Sequence, residues 1–156
     1  MTRQLCTFMV GGLLLGVDVS SVQEVLRQQE MTPVPLAPRA VRGLLNLRGL
    51  VVTAVDLRTR LGFPDRPAAE SFVNIITTSE DGVVSFLVDD VGDLVEVDAH
   101  CFEHAPETMS AAFRALVPGM FKLDGQLLFL LDPQSAAALT KNQDATSKPS
   151  GEKEKS

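Results

Sequence analysis

The fourteen residues G-L-L-N-L-R-G-L-V-V-T-A-V-D, 43 to 56, recur without gaps as G-M-F-K-L-D-G-Q-L-L-F-L-L-D, 119 to 132, and this pair of segments decides the fold. Gly43 matches Gly119, Leu47 matches Leu123, Gly49 matches Gly125 and Asp56 matches Asp132, each at an offset of 76. In both copies two apolar runs flank a short turn that contains a glycine, the pattern of a β-hairpin. A looser echo links G-V-D-V-S-S-V-Q-E-V, 16 to 25, with V-D-D-V-G-D-L-V-E-V, 88 to 97. Such a repeat implies two related half-domains, each a small barrel or curled sheet of about five strands.

Outward from the hairpins, β-rich runs separated by turn signals fill the chain. Strands are expected at 4–10, 13–18, 23–27, 42–47, 50–56, 71–78, 83–89, 93–97, 117–123 and 126–132, with Gly11-Gly12 turning the first into the second. A helical turn is expected near 19–22 and another within 108–116. P-V-P-L-A-P, 33 to 38, cannot join a ladder at its prolines and reads as an extended connection. Pro133 suits a first helical position, so 134–139 reads as a short C-terminal helix. The expectation is therefore an all-β protein: two five-stranded barrels, the first mainly 13–66 and the second mainly 67–132, with terminal segments free to cross over. The segment 141–156 is almost devoid of apolar residues and reads as a disordered tail.

Composition excludes several function classes. A chain of 156 residues that is 45% hydrophobic can bury one sizeable core or two small ones sharing an interface. The longest apolar run, Leu127 to Leu131, is far short of a membrane span, and no signal-peptide pattern opens the sequence, so a cytoplasmic protein is expected. A net charge of −6 and the absence of Trp and Tyr argue against nucleic acid as a partner. Cys6 and Cys101 are too few for a disulfide framework and read as reduced core thiols. The charge is uneven: residues 27 to 66 hold seven arginines against three acids, while 67 to 113 hold ten acids and no Lys or Arg. Two solvated faces are the plainer reading, and faces for two different protein partners the sharper one.

No motif for catalysis emerges. G-G-L-L-L-G, 11 to 16, lacks the Lys-Ser/Thr and the helix that phosphate binding needs. Asp18, Asp56, Asp89 and Asp132 stand at strand ends, where Asp commonly caps the next turn. His100, Cys101 and His104 form the one metal-capable cluster, H-C-F-E-H, without the paired ligand spacing of a zinc site. It leaves a ligand-binding or catalytic barrel as the competing hypothesis, but no cofactor or metal is expected. The repeat instead draws attention to Arg48. The second hairpin turns through Asp124-Gly125, a favoured pair because both residues tolerate positive φ, whereas the first turns through Arg48-Gly49. Arginine has no such preference, so the first turn accepts a cost of a few tenths to about 1 kcal/mol. Either Arg48 is an ordinary surface charge or it is kept for recognition.

Four segments carry a family resemblance: V-Q-E-V (22–25), R-G-L-L-N-L-R-G-L-V-V-T-A-V-D-L-R (42–58), F-L-V-D-D-V-G-D-L-V-E-V (86–97) and V-P-G-M-F-K-L-D-G-Q-L-L-F-L-L-D (117–132). Together they make residues 4–140 resemble a CheW-type chemotaxis adaptor. The resemblance implies two SH3-like barrels around a shared hydrophobic core and a non-enzymatic scaffold. Its implied partners are the cytoplasmic tip of a methyl-accepting chemoreceptor and the regulatory domain of a CheA-type histidine kinase, placing it in the cytoplasm at membrane receptor arrays without membrane insertion. It implies receptor-coupling roles for Arg48 and Glu24, with Val22, Gly43 and Asn46 in matching positions around them, and identifies no kinase-contact residue. The expected site is a groove where the barrels meet, Arg48 pairing there with an acid of the receptor.

Overall fold

The computed structural model describes residues 1–80 and 82–138 and is built chiefly from hairpins. Gly11 and Gly12, at φ 58° and 88°, turn β1 (Thr2–Val10) into β2 (Leu13–Asp18). Asp18 then accepts a hydrogen bond from the Ser20 amide and starts a 3-10 turn, Val19–Ser21. There follow β3 (Val22–Arg27), β4 (Val41–Leu47), β5 (Leu50–Asp56) and one helical turn, α1 (Leu57–Arg60). The second part holds β6 (Val73–Ser79), β7 (Gly82–Val88), β8 (Asp90–Asp98), the two-residue β9 (Glu103–His104), α2 (Ala111–Leu116), β10 (Gly119–Leu123), β11 (Gln126–Leu130) and α3 (Pro133–Ala137). The last residue of the expected C-terminal helix, Leu139, and the expected tail 141–156 lie outside the described residues.

The strands form two sheets, ordered β8-β1-β2-β11-β10-β9 and β3-β6-β7-β5-β4. Overlaid through the repeat, the orders coincide: β3 answers to β8, β6 to β1, β7 to β2, β5 to β11 and β4 to β10. Each sheet has one parallel pair, β5 with β7 and β11 with β2. Even the short β9 has a counterpart, an isolated bridge in which Thr32 and Leu44 exchange two backbone bonds of 2.8 Å. The sheets are curled but open, so the barrels are not closed by their ladders.

The sheets do not divide at residue 66. The β6–β7 hairpin, assigned by sequence to the second half, pairs with β3 and β5, and the β1–β2 hairpin pairs with β8 and β11. A parallel pair needs a long connection. The chain that follows β5, through α1 and β6, supplies one and returns β7 to the side of β5. One sheet is thus continuous, 22–88, and the other is assembled from both ends of the described chain.

Matched glycines have a matched cause. A Cβ on Gly43 would stand 2.5 Å from the Thr32 carbonyl oxygen, and one on Gly119 would overlap the Glu103 carbonyl and the Phe102 ring. In both halves the returning strand crosses too close for any side chain. The prolines of 33–38 do not stay extended: Pro35 and Leu36 form a turn, with Leu36 at φ 63°.

Three apolar clusters hold the sheets. One is shared, with Phe8, Leu15 and Val17 from one sheet meeting Val55, Ile75 and Phe86 from the other. Two are private: Leu45, Leu47, Val52 and Ile76 fill the five-stranded curl, and Leu5, Phe121, Leu128 and Leu130 the six-stranded one. Asp56 and Asp132, matched in the repeat, each cap the helix that follows. These two helices meet, Arg60 of α1 donating to the Ser135 and Ala136 carbonyls of α3 at 3.0 Å each.

Candidate functional site

The β4–β5 hairpin has a two-residue turn, Arg48-Gly49, since Leu47 pairs with Leu50. Both turn residues are left-handed, Arg48 at φ 52° and Gly49 at 88°, which is the type I′ geometry that matches strand twist. Gly49 adopts it freely. Arg48 does so against the crowding of its Cβ and carbonyl, and among the described non-glycine residues only Leu36 shares the condition. The second hairpin differs from expectation: Gly125 is at φ 82°, but Asp124 does not enter the left-handed region. Tolerance of positive φ is a permission, and Asp124 does not use it.

Three of the five predicted site residues converge on this turn. The Arg48 guanidinium donates through Nη2 to Glu24 Oε2, joining the hairpin tip to β3 at the far edge of the same sheet. The arginine side chain is 65% exposed and the glutamate 25%. Asn46 Oδ1 accepts from the Gly49 amide at 2.8 Å. Val22 opens β3 two residues before Glu24, is half-buried and packs on the shared cluster; a bulge separates the pairing of these two with β6. Gly43 stands at the other end of β4 and belongs to the strand crossing described above, not to the turn.

Arg48 already holds an acid of its own chain. An apolar groove of about 460 Å³, lined by Leu13, Leu61, Gly62, Met109, Phe113 and Phe129 among others, includes none of the five predicted residues. The H-C-F-E-H loop places Cys101 on an exposed 3-10 turn, correcting its reading as a core thiol, while Cys6 is buried and burial pushes its thiol pKa up. His100 Nδ1 lies 3.3 Å from Asp98, and His104 packs edge-on against Phe102. Among the described residues no three His, Cys, Asp or Glu side chains gather for a metal.

At the opposite end of the β4–β5 hairpin from the Arg48 turn lies a charged lattice whose pairings were not legible in the sequence. Asp56, 1% exposed, accepts from Arg42 at 3.1 Å and Arg66 at 2.7 Å. Asp89 accepts from Arg58 at 2.8 Å, from Arg66 at 2.6 Å and from the Gly11 amide at 2.8 Å, tying the β1–β2 turn to the other sheet. Burial alone would raise the Asp89 pKa, but the bonds from Arg58, Arg66 and Gly11 outweigh it and hold the carboxyl below its usual range. Most of the arginines between 27 and 66 are therefore spent on intramolecular pairs, which favours the plainer reading of the uneven charge. The D-L-R spacing of Asp56 and Arg58 was the available signal, but it does not name their partners.

The comparisons agree with this architecture. The CheW-like domain model matches residues 4–140. The chain is 32% identical over 133 residues to the chemotaxis protein CheW of Rhizobium meliloti (strain 1021), covering 85% of this chain and 86% of that one. It is 28% identical over 143 residues to the chemotaxis protein CheW of Bacillus subtilis (strain 168), covering 92% of each. The crystal structure of the scaffolding protein TtCheW from Thermoanaerobacter tengcongensis has the same fold, with a TM-score of 0.81 at 24% identity, over 92% of this chain and 97% of that one.

Proposed function

The chain belongs to the CheW-like domain family, and from that membership and the geometry of the β4–β5 tip we propose that it is a chemosensory adaptor coupling chemoreceptor cytoplasmic tips to the regulatory domain of a CheA-type histidine kinase. It is a scaffold and not an enzyme. Among the described residues no helix is long and apolar enough to cross a membrane; the work assigned to the chain is cytoplasmic, at membrane receptor arrays.

The observation that carries the receptor half is the Arg48–Glu24 pair at an exposed turn that holds Arg48 in an unfavourable backbone conformation. A surface arginine kept for solubility needs neither feature. Leu50 and Val51, 48% and 65% exposed, continue the tip with apolar surface. A cation followed along the strand by two exposed apolar side chains suits an acidic, amphipathic helical tip. The kinase-contact surface is not assigned to residues. Arg48→Glu tests the reading in a reconstituted receptor and kinase assay: coupling is lost while the fold survives, and unchanged coupling would overturn the role of Arg48.

A further inference from the structure

We infer that Asn46 is a positioning residue: it does not touch the partner but sets Arg48 in the left-handed conformation from which its guanidinium reaches β3. This rests on the proposed role of Arg48 and deepens it. In a two-residue hairpin the amide of the second turn residue has no ladder partner. Here that amide, Gly49 N–H, donates to Asn46 Oδ1 at 2.8 Å, so the side chain staples the turn from the strand before it.

The repeat supplies the internal control. The second hairpin has the same length, with Leu123 pairing with Gln126, and the same second turn residue, Gly125 at φ 82°. At the position of Asn46 it has Lys122, whose ammonium lies 3.1 Å from Glu103 and leaves the turn alone. There the first turn residue, Asp124, stays out of the left-handed region although Asp tolerates it better than Arg. The residue better suited to positive φ avoids it, and the less suited one adopts it where the asparagine is present. The turn sequence alone does not explain this difference, and the Asn46 acceptor does. Once left-handed, Arg48 is joined to Glu24, and its head lies at the edge of the curl formed by β3.

The test separates geometry from binding. In Asn46→Ala, NMR of the full chain should show a weakened intraresidue amide–Hα contact at Arg48, which is strong only at positive φ, and Gly49 amide exchange about five-fold faster, the factor expected of one hydrogen bond. Affinity for a chemoreceptor cytoplasmic fragment should fall about five-fold with it, as the competent conformer becomes a minor one. Asn46→Asp retains the acceptor oxygen and should restore both signatures, while its added charge opposes an acidic partner. Unchanged Arg48 and Gly49 signals in Asn46→Ala would overturn the inference. If Asn46→Ala shifts both signals while Arg48→Glu binds normally, the positioning geometry stands and the proposed role of Arg48 falls.

Discussion

Arg48→Gly separates what the turn costs the fold from what it contributes to recognition. Glycine enters the left-handed region without penalty, so relief of the Arg48 backbone should stabilise the native state by about 1 kcal/mol. Against this stand the extra freedom of a glycine in the unfolded chain, about 0.5–1 kcal/mol, and loss of the Glu24 pair. With the arginine 65% exposed, that pair contributes at most about 1 kcal/mol. The three effects nearly cancel, and the melting temperature should stay within about 3 °C of the parent. Binding has no such cancellation. If the Arg48 head is desolvated against a receptor acid, its removal costs about 2–5 kcal/mol, a loss of at least about thirty-fold in affinity. Paired measurements by calorimetric melting and titration with a receptor cytoplasmic fragment check both halves. Undiminished affinity would refute the assignment of Arg48 to recognition. A fall in melting temperature beyond about 10 °C would refute the reasoning on the turn, because it would make the arginine a structural residue.

Asp89→Asn should destabilise by about 1–3 kcal/mol, because it removes one of two carboxylates from Arg66, 4% exposed, which keeps Asp56, and from Arg58, which keeps Glu70; urea unfolding checks it. The pH sense follows from the lowered folded-state pKa: the stabilisation is complete above the unfolded value near 4 and is lost as pH falls through the folded value. The acid limb of a stability-versus-pH curve should therefore flatten in Asp89→Asn, and an identical slope in both proteins would contradict the lattice. Gly43→Ala and Gly119→Ala should each lower the urea midpoint by the equivalent of about 2–3 kcal/mol, since backbone must move to admit the methyl group. An unchanged midpoint with lost receptor binding would return Gly43 to the binding site. Phe121→Ala should cost about 3–5 kcal/mol yet leave one unfolding transition by fluorescence-labelled and far-UV circular dichroism probes alike, because the shared cluster couples the sheets. Two separated transitions would show that the sheets are independent.

Local rules wrote much of this structure plainly into the sequence. Gly11-Gly12, Arg48-Gly49 and Asp124-Gly125 are turns because apolar runs flank them and each holds a glycine that accepts positive φ without penalty. Asp56 and Asp132 were legible as caps because an aspartate at a strand end can reach the amide two residues on. Strand partners were another matter. Nothing within 73–88 says whether β7 lies beside β5 or in the other sheet; only the route of the intervening chain decides it. The lattice of Arg42, Arg58, Arg66, Asp56 and Asp89 was hidden for the same reason, its bonded pairs lying up to 31 residues apart and meeting only after both sheets have curled. At the candidate site, sequence named Arg48, Glu24 and Asn46 as neighbours. It did not reveal that Arg48 and Glu24 pair with each other across the sheet.

Under the proposed function, that internal acid also explains how a scaffold of two matching halves presents a single recognition tip. Through the looser echo Glu24 corresponds to Glu96 on β8, so both halves keep the glutamate. They differ on the facing hairpin, which offers Asn46 and Arg48 in one half and Lys122 and Asp124 in the other. A tip carrying Asp124 cannot pair with Glu96; Glu96 stays exposed opposite Gln4, and Lys122 turns to Glu103. Two equivalent tips on two equivalent sheets would let a partner dock in either of two orientations with equal affinity. Changing the turn arginine and its positioning asparagine removes that degeneracy without disturbing either sheet, because the turn lies outside all three apolar clusters. The strain at Arg48 is on this view the local cost of orientation: the fold, nearly symmetric in its strands, glycines and caps, is made directional at a turn where substitution perturbs packing least.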